Sequence, residues 1–158
     1  MEPRPRRSKR LGVMAYALAT LMIARDFPGV RSRVELDGTV VRGRSLLILV
    51  SNIQQYGGKL HVIQEARIDD GLLDVFVFEG LGLPYVVRHV VKMLSRRTLE
   101  DPRIVHRQAR HIRVVTEPAT PVQLDGDPFG RTPTTLTVVP RGLRVLVPPT
   151  APKALFST

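Results

Sequence analysis

The spacing of hydrophobic and polar positions changes several times along this chain. Leu11 to Ala24 is almost wholly apolar, made of small or helix-favouring residues plus Tyr16 and Thr20. That predicts a buried helix ending before Pro28, because the residue ahead of a proline is pushed out of the helical region. From Arg31 the period drops to two: Val34 and Leu36 alternate with Arg33 and Glu35, Asp37-Gly38 turns, and Thr39-Val40-Val41 returns. This is a β-hairpin pattern. Leu46 to Val50 is a continuous apolar run of strand length and reads as a fully buried strand. It ends at Ser51-Asn52, and Tyr56-Gly57-Gly58 follows in a loop. Val75 to Phe78 predicts another strand.

Helical spacing reappears at Leu83 to Leu94. Tyr85, Val86, Val90, Met93 and Leu94 share one face, with Arg88, Lys92 and Arg96 opposite. Such a helix either contributes its apolar face to the core or lies on an anionic membrane. The remainder alternates as strands again: His111 to Thr116, Pro121 to Leu124, Thr134 to Val139 and Leu143 to Val147, closed by Pro148-Pro149. Short strands with turn chemistry between them predict a mainly β, α+β domain. Its expected form is β-sandwich-like, with an N-terminal helix and one inserted amphipathic helix.

Composition narrows this picture. At 158 residues, with 43% hydrophobic positions, the chain can bury one domain's core, and 13 prolines with 12 glycines suit many turns. The absence of cysteine excludes disulfides and thiolate metal sites. A basic start ahead of an apolar run is also the outline of a secretory signal. However, Arg25-Asp26-Phe27-Pro28 offers no small-residue cleavage site, and the run is shorter than the ~20 residues that cross a bilayer. The net charge of +10 calls for an anionic partner or surface, or is a solubilising face. It gathers at Arg4 to Arg10, at Arg88 to Arg97 and at Arg103 to Arg113. No recognised nucleic-acid motif or aromatic stacking set accompanies it, so nucleic acid is not an expected partner.

The candidate chemistry is acidic. Gln123-Leu124-Asp125-Gly126-Asp127-Pro128-Phe129 sets two carboxylates around a glycine between strand-like runs. It is either a plain hairpin turn or a turn whose carboxylates hold a substrate hydroxyl beside a phosphate. Asp37-Gly38 serves as an internal control, since it is the same turn without the second acid. Asp69, Asp70 and Asp74 crowd a second turn and suit either a hard cation or an acidic strand entry. Gly57 and Gly58 suit a close ligand approach or a simple turn. Neither a Walker loop nor a dinucleotide-binding glycine motif is present. His106 and His111 lack a third ligand and read as packing or surface residues.

Four separated segments then line up in order. They are Lys9-Arg10-Leu11-Gly12 with Ala15-Tyr16, Asn52 with Tyr56-Gly57-Gly58, Asp69 to Val75, and Gln123 to Asp127. The set resembles the C-terminal domain of the diacylglycerol kinase catalytic family, which includes bacterial lipid kinases and sphingosine kinases. The resemblance runs from about residue 9 to Val147.

It implies residues 1–10 as a basic linker, 11–148 as the β-rich domain and 149–158 as a tail. It also implies an ATP-binding N-terminal domain carrying Gly-Gly-Asp-Gly-Thr, which nothing in this chain matches. By this resemblance Asp125 is the catalytic base, and Asp127 stands where the family usually has Glu. Arg67 and Leu72, through their carbonyls, and Asp70, through its carboxylate, match a structural Mg²⁺ site. Asn52, Gly57 and Gly58 border the cleft where ATP is bound, mainly by the other domain.

The expected function is transfer of the ATP γ-phosphate to diacylglycerol or a similar lipid alcohol. The setting would be cytoplasmic and peripheral at an anionic membrane, and homodimerisation stays open. The alternative is a non-catalytic lipid- or membrane-binding module derived from such a kinase.

Overall fold

The computed structural model describes residues 28–53, 55–56, 60–61, 66–95, 97–148, 151–152 and 156. The expected N-terminal helix, the basic first ten residues, Gly57 and Gly58 lie outside them. The described chain is built on antiparallel strands: β1 (Val30–Leu36), β2 (Thr39–Ser51), β3 (Gln55–Tyr56), β4 (Leu60–His61), β5 (Leu73–Glu79), β6 (Ile104–Ala109), β7 (His111–Glu117), β8 (Pro121–Leu124), β9 (Asp127–Arg131) and β10 (Thr134–Thr137). One helix, α1 (Gly82–Leu94), and a 3-10 turn at Thr98–Glu100 separate β5 from β6. Six strands form one sheet in the order β10-β7-β1-β2-β5-β6, while β3–β4 and β8–β9 stand as separate pairs.

That single sheet folds over on itself. Val34 and Leu36 of β1 with Ile112 and Val114 of β7 share a buried cluster with Val75 and Val77 of β5 and Ala109 of β6. Strands far apart in the order therefore face one another across a common core, as the two layers of a sandwich do. The bend falls in β2. Its first half pairs with β1 and its second with β5, and the register slips between Ser45 and Leu47. An extra residue there kinks and twists the strand, letting one long element serve both layers. For the same reason the run Leu46 to Val50 is only half buried. Leu49 is inside, while Leu47 keeps 48% of its surface exposed.

The strand buried on both sides is β5. Val75 and Val77 point into the sandwich, and Phe76 and Phe78 point outward to a second cluster with Leu49, Ala66 and Ile104 under Met93 of α1. Burying each phenylalanine side chain contributes about 1.5–3 kcal/mol. α1 begins after Gly80, whose φ of 145° and close approach to Tyr85 require glycine, since a Cβ would lie 2.5 Å from the ring.

Two polar ties fix the helix. Asp101, 1% exposed, takes both nitrogens of the Arg88 fork at 2.7 and 2.9 Å, and His89 Nε2 donates to the Glu79 carbonyl at 2.8 Å. The Arg88 bond is the main reason the Asp101 carboxyl is held down to about 2. Turning Arg88 sideways to reach Asp101 leaves Val87, Val90 and Val91 facing outward. Val90 is thus exposed, contrary to the helical-face reading.

Two further differences concern strands. β6 is a strand that the pattern missed, because His106-Arg107-Gln108 break its apolar alternation. Residues 143–147 form no strand and leave Leu143, Val145 and Leu146 on the surface.

Candidate catalytic turn and acidic loop

The Gln123 to Phe129 stretch is a hairpin arm. Among the described strands β8 and β9 pair with each other, in a register that sets Leu124 opposite Asp127, and nearly every residue in them is exposed. Asp125 at φ 50° and Gly126 at φ 102° make the two-residue turn, both in the left-handed half of backbone space. This geometry matches the right-handed twist of the flanking strands, and Asp and Gly are among the few residues that adopt it cheaply. A register slip between Val122 and Gln123 makes Phe129 the extra residue, and its ring is 60% exposed. The Asp125 and Asp127 carboxylates make no hydrogen bond or ion pair with any described residue. They sit at the tip, open to whatever approaches.

The arm is anchored at its root by three threonines. Thr116 near the end of β7 and Thr132 after β9 are 7% and 6% exposed, and their hydroxyls bond one another. Thr120, just ahead of β8, brings its hydroxyl to Thr116 Oγ1 at 2.9 Å, and its N–H donates to Thr132 Oγ1 at 2.9 Å. The Thr132 N–H returns a bond to the Thr120 carbonyl at 2.9 Å.

The second acidic turn folds differently. Asp70 Oδ1 accepts the Leu72 N–H at 2.9 Å, curling the chain around Gly71 at φ 71°. The Asn52 amide donates to the Ile68 carbonyl at 3.3 Å, so Asn52 and the Arg67–Leu72 loop are brought together. Asp74 leaves this group. It is 3% exposed and takes His106 Nε2 at 2.6 Å, with the imidazole stacked on Phe76 at 4.4 Å between centroids. No set of three His, Asp or Glu side chains converges among the described residues. The donors left for a cation are one carboxylate and backbone carbonyls, all hard oxygens, which fit Mg²⁺ chemically.

The arm and this loop leave opposite ends of β10. Thr134 pairs with Val114 on the arm's side, whereas Gly71 lies beside Pro140, past the far end of the strand. The Asp74–His106 pair was not read from sequence as a unit. The two residues are 32 positions apart and meet only because β5 pairs with β6.

These features define a class: a folded-over antiparallel sheet displaying an acidic turn on a projecting arm, in a sequence with no Walker or dinucleotide-binding glycine motif. Comparison with known proteins makes it specific. Residues 5–147 match the family described as the YegS C-terminal NAD kinase beta sandwich-like domain, and the chain belongs to that family. It is 23% identical over 139 residues to a diacylglycerol kinase of Staphylococcus carnosus, covering 87% of this chain and 45% of that protein. It is 27% identical over 151 residues to a Shewanella frigidimarina protein described as "Probable lipid kinase YegS-like", covering 94% and 48%. A crystal structure of a diacylglycerol kinase from Bacillus anthracis superposes with TM-score 0.58 at 26% identity, over 87% of this chain and 50% of that one. The chain spans less than half the length of the curated relatives named here.

Proposed function

We propose that this chain is the acceptor-side half of an ATP-dependent lipid kinase, with Asp125 as general base. The observation that carries this is the state of its carboxylate: raised on an arm, at a fixed turn, and bonded to no described residue. A primary hydroxyl of diacylglycerol, or of a similar lipid alcohol, gives its proton to Asp125 as its oxygen attacks the γ-phosphorus. The bond from that phosphorus to the β,γ-bridging oxygen breaks, releasing ADP and leaving a phosphate monoester on the lipid. Phosphoryl transfer asks the protein for positioning and electrostatics more than for covalent chemistry, so a freely accessible carboxylate is what the acceptor side must supply. Asp127, one methylene shorter than glutamate, orients the acceptor or its water from the first residue of β9.

ATP is held mainly by a nucleotide-binding half supplied outside these residues, with Asn52 on this side of the cleft. Arg67 and Leu72, through their carbonyls, and Asp70, through its carboxylate, would hold Mg²⁺. When bound there, it would neutralise the Asp70 charge and tie the loop on the side of the molecule away from the arm. The net charge of +10 suits an anionic membrane surface where a lipid alcohol resides. No helix among the described residues is long and apolar enough to cross a membrane.

The isolated chain is expected to have no kinase activity, checked by radiolabelled phosphate transfer to diacylglycerol in mixed micelles. Joined to the nucleotide-binding half of a relative it should phosphorylate lipid, and Asp125→Asn should abolish that gain. Retention of the original rate by Asp125→Asn would remove the base assignment. The non-catalytic membrane module would then be the surviving reading.

A further inference from the structure

We infer that the outer face of α1 is a docking surface for an anionic lipid bilayer. This rests on the membrane setting proposed above and not on Asp125 being the base. Val87, Val90 and Val91 stand at i, i+3 and i+4, so with ~3.6 residues per turn they share one face. Their exposures are 42%, 43% and 56%, and Leu81, at the helix N-cap, is 48% exposed. The opposite side is already engaged: His89 is buried, and Met93 packs on the cluster of Phe76 and Phe78. A surface helix that meets only water carries polar residues outward, so a row of valines there marks a contact.

The charges beside this row select the partner. α1 contains no Asp or Glu, and Arg88 and Lys92, four residues apart, line one flank of the valines. The acids that meet them come from the 3-10 turn and the residue after it. The buried Asp101 carboxylate takes Arg88, while Glu100 is shared by Lys92 at 3.6 Å and Arg97 at 3.0 Å. A further cation, Arg103, lies over the Tyr85 ring at 5.4 Å. Four cations therefore meet two carboxylates, and Arg88 and Arg97 keep 47% and 63% of their side chains exposed. An apolar strip with a cationic border suits acyl chains beneath anionic headgroups. A second copy brought face to face would set like charges together.

The face also begins at the end of the sheet from which the arm leaves. Across that end Glu79 pairs with Ser45, Ser45 with Val30, and Arg31 with Glu117, the last residue of β7. Leu81 Cδ2 lies beside Gly29, 3.7 Å from where a Cβ would stand. The Asp70 loop is at the other end, next to the pairing of Ser51 with Asp74. A bilayer that meets the start of α1 thus lies at the end of the domain that carries the Asp125 arm, where a lipid alcohol has to be presented.

The chain contains no tryptophan, so Val91→Trp places a single fluorophore on the face. The 158-residue chain is mixed with phosphatidylcholine vesicles, with or without phosphatidylglycerol, some carrying brominated acyl chains. With phosphatidylglycerol the emission should shift to the blue. Bromine should quench it roughly twofold, since an interfacial helix sinks ~5–10 Å into the headgroup boundary. Salt at about 0.5 M should reverse most of the binding by screening. Val87→Gln combined with Val90→Gln should weaken binding roughly tenfold, and Arg97→Gln about fivefold on the anionic vesicles alone.

No binding to phosphatidylglycerol vesicles, or a tryptophan left unquenched on vesicle-bound chain, overturns the inference. In the second case another segment makes the contact. A blue shift that grows with protein concentration without vesicles also overturns it, as the mark of a second copy. So does a shift that appears only when a nucleotide-binding half is added. If Val91→Trp fails to fold, sedimentation of the parent and the double glutamine variant with vesicles decides, and equal binding overturns the face. Docking is read without phosphate transfer, so full activity in Asp125→Asn would condemn the base and leave this surface standing.

Discussion

Asp37-Gly38 and Asp125-Gly126 are the same turn put to different uses. Both aspartates take a left-handed backbone, at φ 45° and 50°, and both glycines follow with φ 88° and 102°. The first turn joins β1 to β2 within the folded sheet. Its carboxylate accepts the N–H groups of Arg110 and His111 at 2.9 and 2.8 Å, and its own N–H donates to the His111 carbonyl at 3.1 Å. Those residues form the tight corner between β6 and β7, so Asp37 rivets a turn of one layer to the corner where the chain crosses between layers. The second turn projects from the sheet, and its carboxylate is committed to nothing described. A carboxylate absorbed by backbone donors is a structural part. One held at a fixed angle and left free can take a proton.

Charge removal separates the two most sharply. Asparagine tolerates the left-handed conformation, so Asp→Asn leaves either turn intact while abolishing its anion. In the enzyme joined to a nucleotide-binding half, Asp125→Asn should lower kcat about 100- to 10,000-fold, the usual contribution of a positioned general base. Its thermal midpoint should match the parent's. Steady-state kinetics beside a melting curve reads both numbers. A large stability loss in Asp125→Asn would mean that its carboxylate is bonded after all, erasing the difference from Asp37.

The next largest effect concerns a carboxylate that, like Asp37, is fully used, but in the interior. Asp101→Ala strands Arg88 and removes the bond to the Arg103 N–H at 3.0 Å, and should destabilise by about 2–4 kcal/mol. Because the folded carboxyl titrates at about 2 and its ordinary value is 3.8, the stabilisation is complete above 3.8 and lost as pH falls toward 2. Asp37 is also lowered, chiefly by the Arg110 and His111 amides, and adds to the same acid limb. Urea midpoints measured between pH 5 and pH 2 should fall steeply for the parent and less steeply for Asp101→Ala.

How far all this could be read from sequence follows from which interactions are local. The β1–β2 hairpin, the strand Val75 to Phe78, the helix near residues 83–94 and the β8–β9 turn were legible, because period and turn residues act within a few positions. The helix's outer face was not. Valines surround it, and the choice of face was made by Asp101, a partner 13 residues beyond Arg88. β6 was hidden by its polar middle, His106 above all, whose partner Asp74 lies on β5. The acidic loop read as three equivalent carboxylates, yet Asp74 is claimed by His106 and Asp70 by its own Leu72 amide. Asp125 was legible as a candidate from two carboxylates on one turn, and took the role of base only through the ordered set of motifs. Nothing within seven residues distinguishes a free carboxylate from one that a distant corner will occupy.

Glycine-to-alanine changes sharpen the same contrast at smaller amplitude. Neither Gly38 nor Gly126 has an atom within 4 Å of a would-be Cβ, so each substitution meets only backbone strain, about 1 kcal/mol. The two stability losses should agree, while only Gly126→Ala should reduce kcat. Equal kinetic losses would show that the arm is no more sensitive than the sheet.

The smallest expected effect tests the rivet. Asp37→Asn retains one acceptor oxygen for two backbone donors and turns an N–H₂ toward the other, so one of the two bonds is lost. Because the site is exposed, the loss should be slight: a midpoint a little below the parent's at pH 7. The sign of the pH effect is more telling than its size. The lowered carboxyl of Asp37 stabilises the fold above its ordinary value of 3.8 and ceases to as pH falls through its folded value. The stability gap between parent and Asp37→Asn should therefore narrow on acidification. A gap for Asp37→Asn that stays constant down to the acid limb would trace it to turn geometry and not to charge, and the two turns would then differ less than their hydrogen bonds imply.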